Sequence, residues 1–279
     1  MGRPMFEWGV RTYVMGIINM TPDSFAGDGL GTNVEAALRR AREMVAAGAD
    51  LLDVGGESTR PGAEPVPAEE EMYRVLPAIE GLARNLDCPI SVDTYKAEVA
   101  EAAVWAGARM INDVWGLRMD PRIAEVAART GAYLVITHNS RPAPTAAWDY
   151  APVEGGLMDR IVAGLRQAIN LAVRAGVPPE RIIVDPGLGF GKSWQENLLI
   201  LRHLGRLREL GRPVLIGPSR KSFIGRVLGV EVQERLEGTA AAVAIGIANG
   251  ADLVRVHDVG PMVRVARMAD AIVRWRLEG

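Results

Sequence analysis

The stretch Asn249-Gly250-Ala251-Asp252-Leu253-Val254-Arg255-Val256-His257 shows the local pattern on which most of the chain is built. A helical stretch ends in a small-residue turn at Gly250, an apolar strand follows, and the strand ends in polar residues. The same pattern occurs at 47–53, 106–113 and 130–138. Glycine is typical of a helix C-terminus, where a left-handed backbone is needed, so each stretch predicts a helix followed by a strand.

Four other apolar runs lack this lead-in but also end in a polar residue or a loop; they lie at 13–19, 89–93, 182–185 and 214–216. Amphipathic helical stretches separate the runs, as at 34–47, 69–85, 157–175 and 234–249. Eight alternating units in about 250 residues predict an α/β fold of the (β/α)8 TIM-barrel type. The alternative is a doubly wound open sheet, but no glycine-rich dinucleotide fingerprint follows the first strand.

Composition limits the class of protein. The 279 residues are 48% hydrophobic and carry a net charge of −2, which is typical of a globular chain without a nucleic-acid or membrane footprint. No break in composition marks a second domain, so 1–279 is predicted to form one domain. The single cysteine, Cys88, excludes an internal disulfide and favours a reducing compartment, so a cytoplasmic protein is expected.

Polar side chains stand at or just after the ends of the predicted strands, and in a barrel all strand ends open on one face. Because loops are polar, some such residues are expected anyway, but each of these groups can make several hydrogen bonds. We therefore predict that they converge on one binding site. The residues are Asn19, Asp53, Asp93, Asn112, His138, Asp185, Lys221, Arg255 and His257.

The loop 217–223 places Arg220 beside Lys221 where a strand gives way to a helix. Two adjacent cations at a strand end favour an anionic or electron-rich ligand. Lys221 is also one of only three lysines among 32 basic residues, the others being Lys96 and Lys192. A chain that otherwise uses arginine has kept a compact ammonium at this position.

Two buried carboxylates and a cation–imidazole pair suggest what that ligand contains. Asp93 and Asp185 end apolar strands, and each needs a partner, either the amino–imino edge of a 2-amino-4-oxo-pyrimidine or an internal arginine. Arg255 and His257 are two residues apart on one strand and face the same side, which suits a phosphate or diphosphate. The alternative for this second pair is a salt-bridged arginine and a core histidine.

The three histidines are scattered, so a His-ligated metal is not expected; a hard cation held by ligand phosphates and an Asn oxygen fits better. Taken together, seven segments resemble the dihydropteroate synthases. They are 16–25, 53–62, 91–94, 112–114, 185–192, 217–223 and 255–259. The resemblance implies a (β/α)8 barrel that joins 6-hydroxymethyl-7,8-dihydropterin diphosphate to 4-aminobenzoate in folate synthesis. It also implies Mg²⁺ and a homodimer.

The resemblance further implies roles for single residues. Those implied to be catalytic are Lys221, Asp93, Asp185, Arg255 and His257. The pterin would be held by Asp93, Asn112, Asp185 and Lys221, and the diphosphate by Asn19, Arg255 and His257, with Mg²⁺ on Asn19. The aminobenzoate site, where sulfonamides would compete, would be formed by Phe25, Thr59, Arg60, Pro61, Phe190, Lys221 and Ser222.

The chain departs from the family pattern at Thr137, which stands where a methionine usually lines the pterin pocket, and in the first loop, 25–29, which is one residue longer. Two alternatives stay open. A methyltetrahydrofolate-binding methyltransferase barrel would not need the loop 21–25 or the run 219–221. A pterin-binding barrel without catalysis would be favoured by loss of the polar residues at the strand ends, and they are present.

Overall fold

The structure, a computed structural model, describes residues 5–21, 29–59, 63–143 and 145–274. In these ranges eight strands form one parallel sheet in the order β6-β5-β4-β3-β2-β1-β8-β7. An isolated parallel bridge between Val184 and Val214 joins its two edges, so the sheet closes into the predicted barrel. The strands are β1 (Tyr13–Asn19), β2 (Leu51–Gly55), β3 (Ile90–Asp93), β4 (Met110–Asp113), β5 (Tyr133–Thr137), β6 (Ile182–Asp185), β7 (Leu215–Ile216) and β8 (Leu253–Val256).

Nine α-helices in the described part of the chain cover the outside of the barrel. One follows each strand, except that two follow β7. The helices are α1 (Val34–Ala46), α2 (Ala68–Asn85), α3 (Ala97–Trp105), α4 (Arg122–Thr130), α5 (Leu157–Arg174), α6 (Trp194–Arg202), α7 (Ser222–Leu228), α8 (Leu236–Ala248) and α9 (Val259–Val273). Among these, none combines the length and the apolar character needed to cross a bilayer.

The four glycines that precede strands in the repeated sequence pattern have the predicted left-handed backbone. Their φ angles are 101° at Gly48, 123° at Gly107, 71° at Gly131 and 105° at Gly250. Residues with a side chain rarely adopt these angles, so glycine lets each helix stop and the chain turn directly into the next strand.

The inward-facing side chains change character along the strands. At the amino ends they form an apolar cluster that includes Met15, Leu51, Met110, Ile183 and Leu253. Two residues further along, on the same face of each strand, stand Ile17, Asp53, Asn112, Asp185 and Arg255. The barrel is therefore packed with apolar side chains at one end and largely polar at the other, and the polar end is where barrel enzymes have their active sites.

The amino-terminal segment closes the apolar end. The Phe6 ring stacks on Trp8 with ring centroids 4.4 Å apart, and meets Tyr13 and Tyr133 edge-on at 4.9 Å and 5.3 Å. Phe6 is buried against the interior cluster, so aromatic side chains cover this end of the barrel. The barrel therefore opens to solvent at its polar end.

Candidate active site

Two connected pockets occupy the polar end of the barrel. The inner pocket is lined by Ile17, Thr59, Asp93, Asn112, Val114, Asp185, Phe190, Gly217, Ser219, Lys221, Arg255 and His257. The outer pocket shares most of these residues. It adds Asn19, Thr21, Glu57, Ser58, Arg141, Gly189 and Ser222, without Asn112, Val114, Asp185 or Gly217. The two pockets therefore open into each other, so ligands bound in the inner and outer pockets would be in contact.

The structure brings the predicted site residues together. Ten of them line one pocket or both: Asn19, Thr59, Asp93, Asn112, Asp185, Phe190, Lys221, Ser222, Arg255 and His257. The predictions for Phe25, Arg60 and Pro61 lie outside the described residues. Seven of the nine polar strand-end residues predicted to converge are among these ten; Asp53 and His138 do not belong to the described lining. The role of each residue stays a prediction.

Arg255 lines both pockets and is ion-paired on two sides. Its Nε donates to Asp53 Oδ2 at 2.6 Å, and its Nη2 donates to Asp93 Oδ2 at 2.7 Å. Asn112 Nδ2 donates to the same oxygen of Asp53 at 3.0 Å. Arg255 is therefore both a pocket residue and a salt-bridged one, which combines the two interpretations that the sequence left open. Asp53, fully buried, orients it.

Burial dominates the ionisation of the two predicted ligand-binding carboxylates. It raises the pKa of Asp93 to about 7, although Arg255 acts in the opposite direction. Burial also raises the pKa of Asp185, against the charge of Lys221 and a hydrogen bond from the backbone N–H of Gly187 at 2.7 Å. Both carboxylates are poised to gain from a ligand that donates hydrogen bonds to them.

Lys221 reaches into both pockets from the loop after β7. Its ammonium donates to the carbonyl of Leu188 and lies 4.6 Å from the centroid of the Phe190 ring. Burial lowers its pKa to about 8, while Asp185 raises it. A compact, partly desolvated ammonium therefore stands between the buried carboxylate and the aromatic wall of the pocket.

The sequence interpretation of Arg220 needs correction. Arg220 was expected to act beside Lys221, but it does not belong to the described lining of either pocket. Its guanidinium forms a bidentate ion pair with Asp258, at 2.6 Å and 2.8 Å. Its backbone has a φ of 56°, uncommon for a residue with a side chain, so the chain turns sharply between the two basic residues. Of the two cations, Lys221 is the one that lines the pockets.

Of the two histidines predicted to converge on the site, His257 lines the pockets and His138 does not. His257 lines both pockets and shares a hydrogen bond at 2.9 Å between Nδ1 and the hydroxyl of Ser219. His138, which was expected to converge on the same site, instead stacks on Tyr150 with ring centroids 4.6 Å apart. The strand β5 ends at Thr137, whose register partner is Asp185, so the following residue faces away from the barrel interior. Burial lowers the pKa of His138 to about 2.

Several residues of this face were missed because no local pattern marks them. Glu57 lines the outer pocket and is held by the hydroxyl of Tyr95 at 2.9 Å and by the ammonium of Lys96. Arg141, in the long loop before α5, lines the same pocket. The sequence feature that could have indicated further residues of this face is the scarcity of lysine. Lys192 also lies at this face, where its ammonium donates to the carbonyls of His138 and Phe190. All three lysines of the chain therefore form hydrogen bonds with residues of this face.

Comparison with known proteins agrees with this site. The family model for pterin binding enzymes matches residues 15–257. A dihydropteroate synthase from Clostridium beijerinckii is 48% identical over 274 residues, which are 98% of this chain and 98% of that protein. The crystal structure of the dihydropteroate synthase from Clostridium difficile in the presence of pteroic acid has a TM-score of 0.88 and 48% identity, covering 97% of this chain and 100% of that chain.

A second solved structure, the Xanthomonas albilineans dihydropteroate synthase with 4-aminobenzoic acid, has a TM-score of 0.85 and 44% identity, covering 95% of this chain and 94% of that one. The barrel, the converging polar residues and these similarities over nearly the whole chain agree. The chain belongs to the pterin-binding enzyme family and, within it, to the dihydropteroate synthases, the transferases that form dihydropteroate in folate biosynthesis.

Proposed function

We propose that the inner pocket binds 6-hydroxymethyl-7,8-dihydropterin diphosphate and that the outer pocket presents 4-aminobenzoate to its methylene carbon. The observation that carries this assignment is the nesting of the two pockets. The inner one holds the buried carboxylate Asp185, and the outer one opens past Phe190 and Lys221 towards solvent. The reaction forms 7,8-dihydropteroate and releases diphosphate.

Recognition of the pterin follows from the hydrogen-bonding groups of the inner pocket. The 2-amino group and the adjacent ring N–H form a donor pair, which suits the two oxygens of Asp185. Asn112 supplies an amide that can donate or accept, and Lys221 supplies a donor towards the ring carbonyl and nitrogens. Asp93, which pairs with Arg255, is assigned to the other edge of the ring.

The diphosphate belongs at the side of the pocket formed by β1, β7 and β8. Asn19, Ser219 and His257 line the outer pocket there, next to the cation Arg255. As the bond between the methylene carbon and oxygen breaks, negative charge collects on the leaving diphosphate, and these donors stabilise it. These donors are in position before the bond breaks, so little reorganisation is needed as the charge develops.

Mg²⁺ fits this side through its chemistry. The described residues contain no group of three or more His, Cys, Asp or Glu side chains that could hold a metal. Asn19 offers one hard amide oxygen, and Mg²⁺ usually completes its shell with substrate phosphates and water. When bound, the ion would neutralise charge on the diphosphate. Dependence of diphosphate affinity on Mg²⁺, weakened in Asn19→Ala, tests this assignment.

The substitution proceeds without a covalent enzyme intermediate in our account. The C–O bond breaks first and its electron pair leaves with the diphosphate. The methylene carbon becomes electron-deficient, and the ring spreads that charge towards Asp93 and Asp185. The amine of 4-aminobenzoate then forms the C–N bond and loses a proton. A substantial secondary isotope effect at the methylene is expected, and its absence would argue for a concerted displacement.

The arylamine site is built from the wall of the outer pocket. Thr59, Phe190, Lys221 and the exposed Ser222 line it, and Phe25, Arg60 and Pro61 are proposed to complete it. Phe190 supplies an aromatic face against which a flat substituted ring packs. Sulfonamides, which place a similar ring beside an anionic group, are expected to compete with 4-aminobenzoate here. A competitive inhibition pattern would support this shared site.

A homodimer formed through the outer helices is the proposed assembly. Val227 and Leu228 of α7 and Ile245 of α8 are about half exposed. Apolar side chains of this size on neighbouring helices favour burial against a second copy. Ile245→Glu is expected to shift sedimentation towards the monomer, and an unchanged sedimentation coefficient would contradict this interface.

The cytoplasm is the proposed location. The single cysteine of the chain, Cys88, cannot form an internal disulfide, as is usual in a reducing compartment. Burial raises the pKa of its thiol to about 11, so the thiol is protonated at neutral pH.

Formation of 7,8-dihydropteroate, identified by mass spectrometry, tests the proposed function. The purified protein with both substrates and Mg²⁺ should form it, and Asp185→Asn should reduce the rate strongly. Binding of the pterin without product would instead indicate a pterin-binding protein that does not catalyse the transfer.

A further inference from the structure

Arg141 places a positive charge at the outer pocket without a protein counter-ion in the described residues. Its Nη1 donates to the carbonyl of Thr59 at 2.6 Å, and its guanidinium carbon lies 5.0 Å from the centroid of the Phe190 ring. No carboxylate of the described ranges forms an ion pair with it, and burial alone lowers its pKa. A guanidinium stays protonated in proteins, so this charge persists at neutral pH.

The surroundings of Arg141 are also positive. Lys221 contacts the same Phe190 ring, 4.6 Å from its centroid, and Lys192 lies close by. The pKa of each lysine is lowered, first by burial and also by the charge of Arg141, while Asp185 acts against this. Three cations thus gather around one aromatic wall, with one buried carboxylate as their main counter-charge. Such a potential favours an anionic group of a ligand.

The two substrates bring two anionic groups to the site, and the barrel topology separates them. Arg141 follows β5, while Asn19 ends β1. In an eight-stranded barrel with this strand order, β5 and β1 are on opposite sides. The diphosphate belongs beside Asn19 and His257, so the backbone of Arg141 lies across the pocket from it, while its guanidinium reaches Thr59 after β2. The carboxylate of the arylamine is the anion that remains.

Depth in the pocket points to the same group. Arg141 lines the outer pocket but not the inner one. In 4-aminobenzoate the amine and the carboxylate stand at opposite ends of the ring. The amine must reach the methylene carbon at the inner pocket, so the carboxylate points outward. A cation that belongs only to the outer pocket is placed to meet it.

We propose that Arg141 binds the carboxylate of 4-aminobenzoate and thereby selects anionic arylamines over neutral ones. The assignment rests on the proposed function of this site. The guanidinium has five N–H donors, and its hydrogen bond to Thr59 leaves a fork that matches a carboxylate. Because the same side chain also holds Thr59, arylamine binding is coupled to the position of Thr59.

The test compares Arg141→Met and Arg141→Lys with the wild type, using 4-aminobenzoate and its neutral isostere 4-aminobenzamide. Arg84→Met is the matched control, since Arg84 is exposed and pairs with Glu80 on the outer face of α2. In Arg141→Met we expect KM for 4-aminobenzoate to rise about 10- to 100-fold, the range of a lost charge-assisted hydrogen bond. KM for the amide and for the pterin diphosphate should change less than about threefold, and Arg141→Lys should recover part of the loss.

Three outcomes would overturn the assignment. Equal losses for the acid and the amide would mean that Arg141 only holds the loop at Thr59. Loss of affinity for the pterin diphosphate would place its action at the other substrate, and unchanged kinetics would leave it without this role. Absence of turnover in the wild type would contradict the proposed function instead. Calorimetric binding of the acid and the amide, with pterin and diphosphate present, would then still decide the role of Arg141.

Discussion

Arg255 on β8 donates a hydrogen bond to Asp93 at the end of β3, 2.7 Å away, across three strand positions of the barrel. The same guanidinium binds Asp53 on β2, so one cation ties together the floor of the pocket. Charge-assisted hydrogen bonds of this kind fix side-chain positions before a ligand arrives. These hydrogen bonds need ionised carboxylates, so the geometry of the pocket floor depends on the ionisation of this cluster.

The first prediction concerns pH. Asp93, with a pKa raised to about 7, must be ionised to pair with Arg255, and Lys221, with a pKa lowered to about 8, must be protonated to act as a cation. Lowering the pH protonates Asp93, and raising it deprotonates Lys221, so kcat/KM for the pterin diphosphate should be bell-shaped with its maximum between these values. Asp93→Asn should remove the acidic limb and Lys221→Arg the alkaline one. A flat profile in the wild type would contradict the assignment.

The second prediction concerns pterin affinity. Asp185→Asn keeps the shape of the side chain but removes its charge and one acceptor oxygen, so binding of the pterin diphosphate should weaken about 10- to 100-fold, as expected when a charge-assisted hydrogen bond is lost. Asp252→Asn is the control because Asp252, which lies just before β8, is a partly buried aspartate that accepts a hydrogen bond from the backbone N–H of Val214. Calorimetry should find unchanged affinity in the control. Similar losses in both variants would show that the effect is structural.

The third prediction concerns the lysine between two glutamates. The Lys96 ammonium bridges Glu57 and the buried Glu71, and burial raises the pKa of Glu71. Removing this cation leaves two carboxylates uncompensated, so Lys96→Met should lower the free energy of unfolding by about 3–5 kcal/mol.

Urea denaturation measures the effect of Lys96→Met. The exposed pair of Arg84 with Glu80 provides the comparison, and Arg84→Met should cost at most about 1 kcal/mol. Adding Glu71→Gln to Lys96→Met should restore part of the stability, because it removes one uncompensated charge. If the double variant is less stable than the single one, repulsion between the glutamates is not the cause.

The fourth prediction concerns a glycine beside the inner pocket. At Gly187, with a φ of 73°, an added Cβ would lie 2.0 Å from the carbonyl oxygen of His138. Gly229 has a φ of 69° with nothing within 4 Å, so it isolates the cost of the backbone angle alone. Gly229→Ala should cost about 1–2 kcal/mol of stability. Gly187→Ala should cost more and also lower activity, because the Gly187 N–H orients Asp185. Equal effects would contradict the steric account.

Much of this architecture follows from the sequence because the repeating signal is local. Apolar runs that end in polar residues predict both the strands and the face on which they converge, as for Asp93 and Asp185. Successive side chains of a strand point to opposite faces of the sheet. His138 comes one residue after Thr137, which pairs with Asp185, and therefore points away from the barrel interior. Arg220 departs from the prediction that it acts beside Lys221, because its positive φ directs the side chain towards Asp258.

The remaining part of the site depends on contacts between loops. Arg141 reaches Thr59 from 82 residues away, and the hydroxyl of Tyr95 reaches Glu57 from 38 residues away. Periodicity within a segment carries no information about such pairs. Loops nevertheless supply much of the outer pocket, as is usual for barrels whose strands form a rigid scaffold.

The most direct measurement is release of diphosphate from the pterin diphosphate, with and without 4-aminobenzoate, in the wild type and in Lys221→Ala. Our account predicts release that depends on 4-aminobenzoate and falls sharply in the variant. Rapid release without the arylamine would mean that the electrophile forms but that the outer pocket does not control its capture. Equal release by the wild type and Lys221→Ala would contradict the assignment of the chemistry to this site.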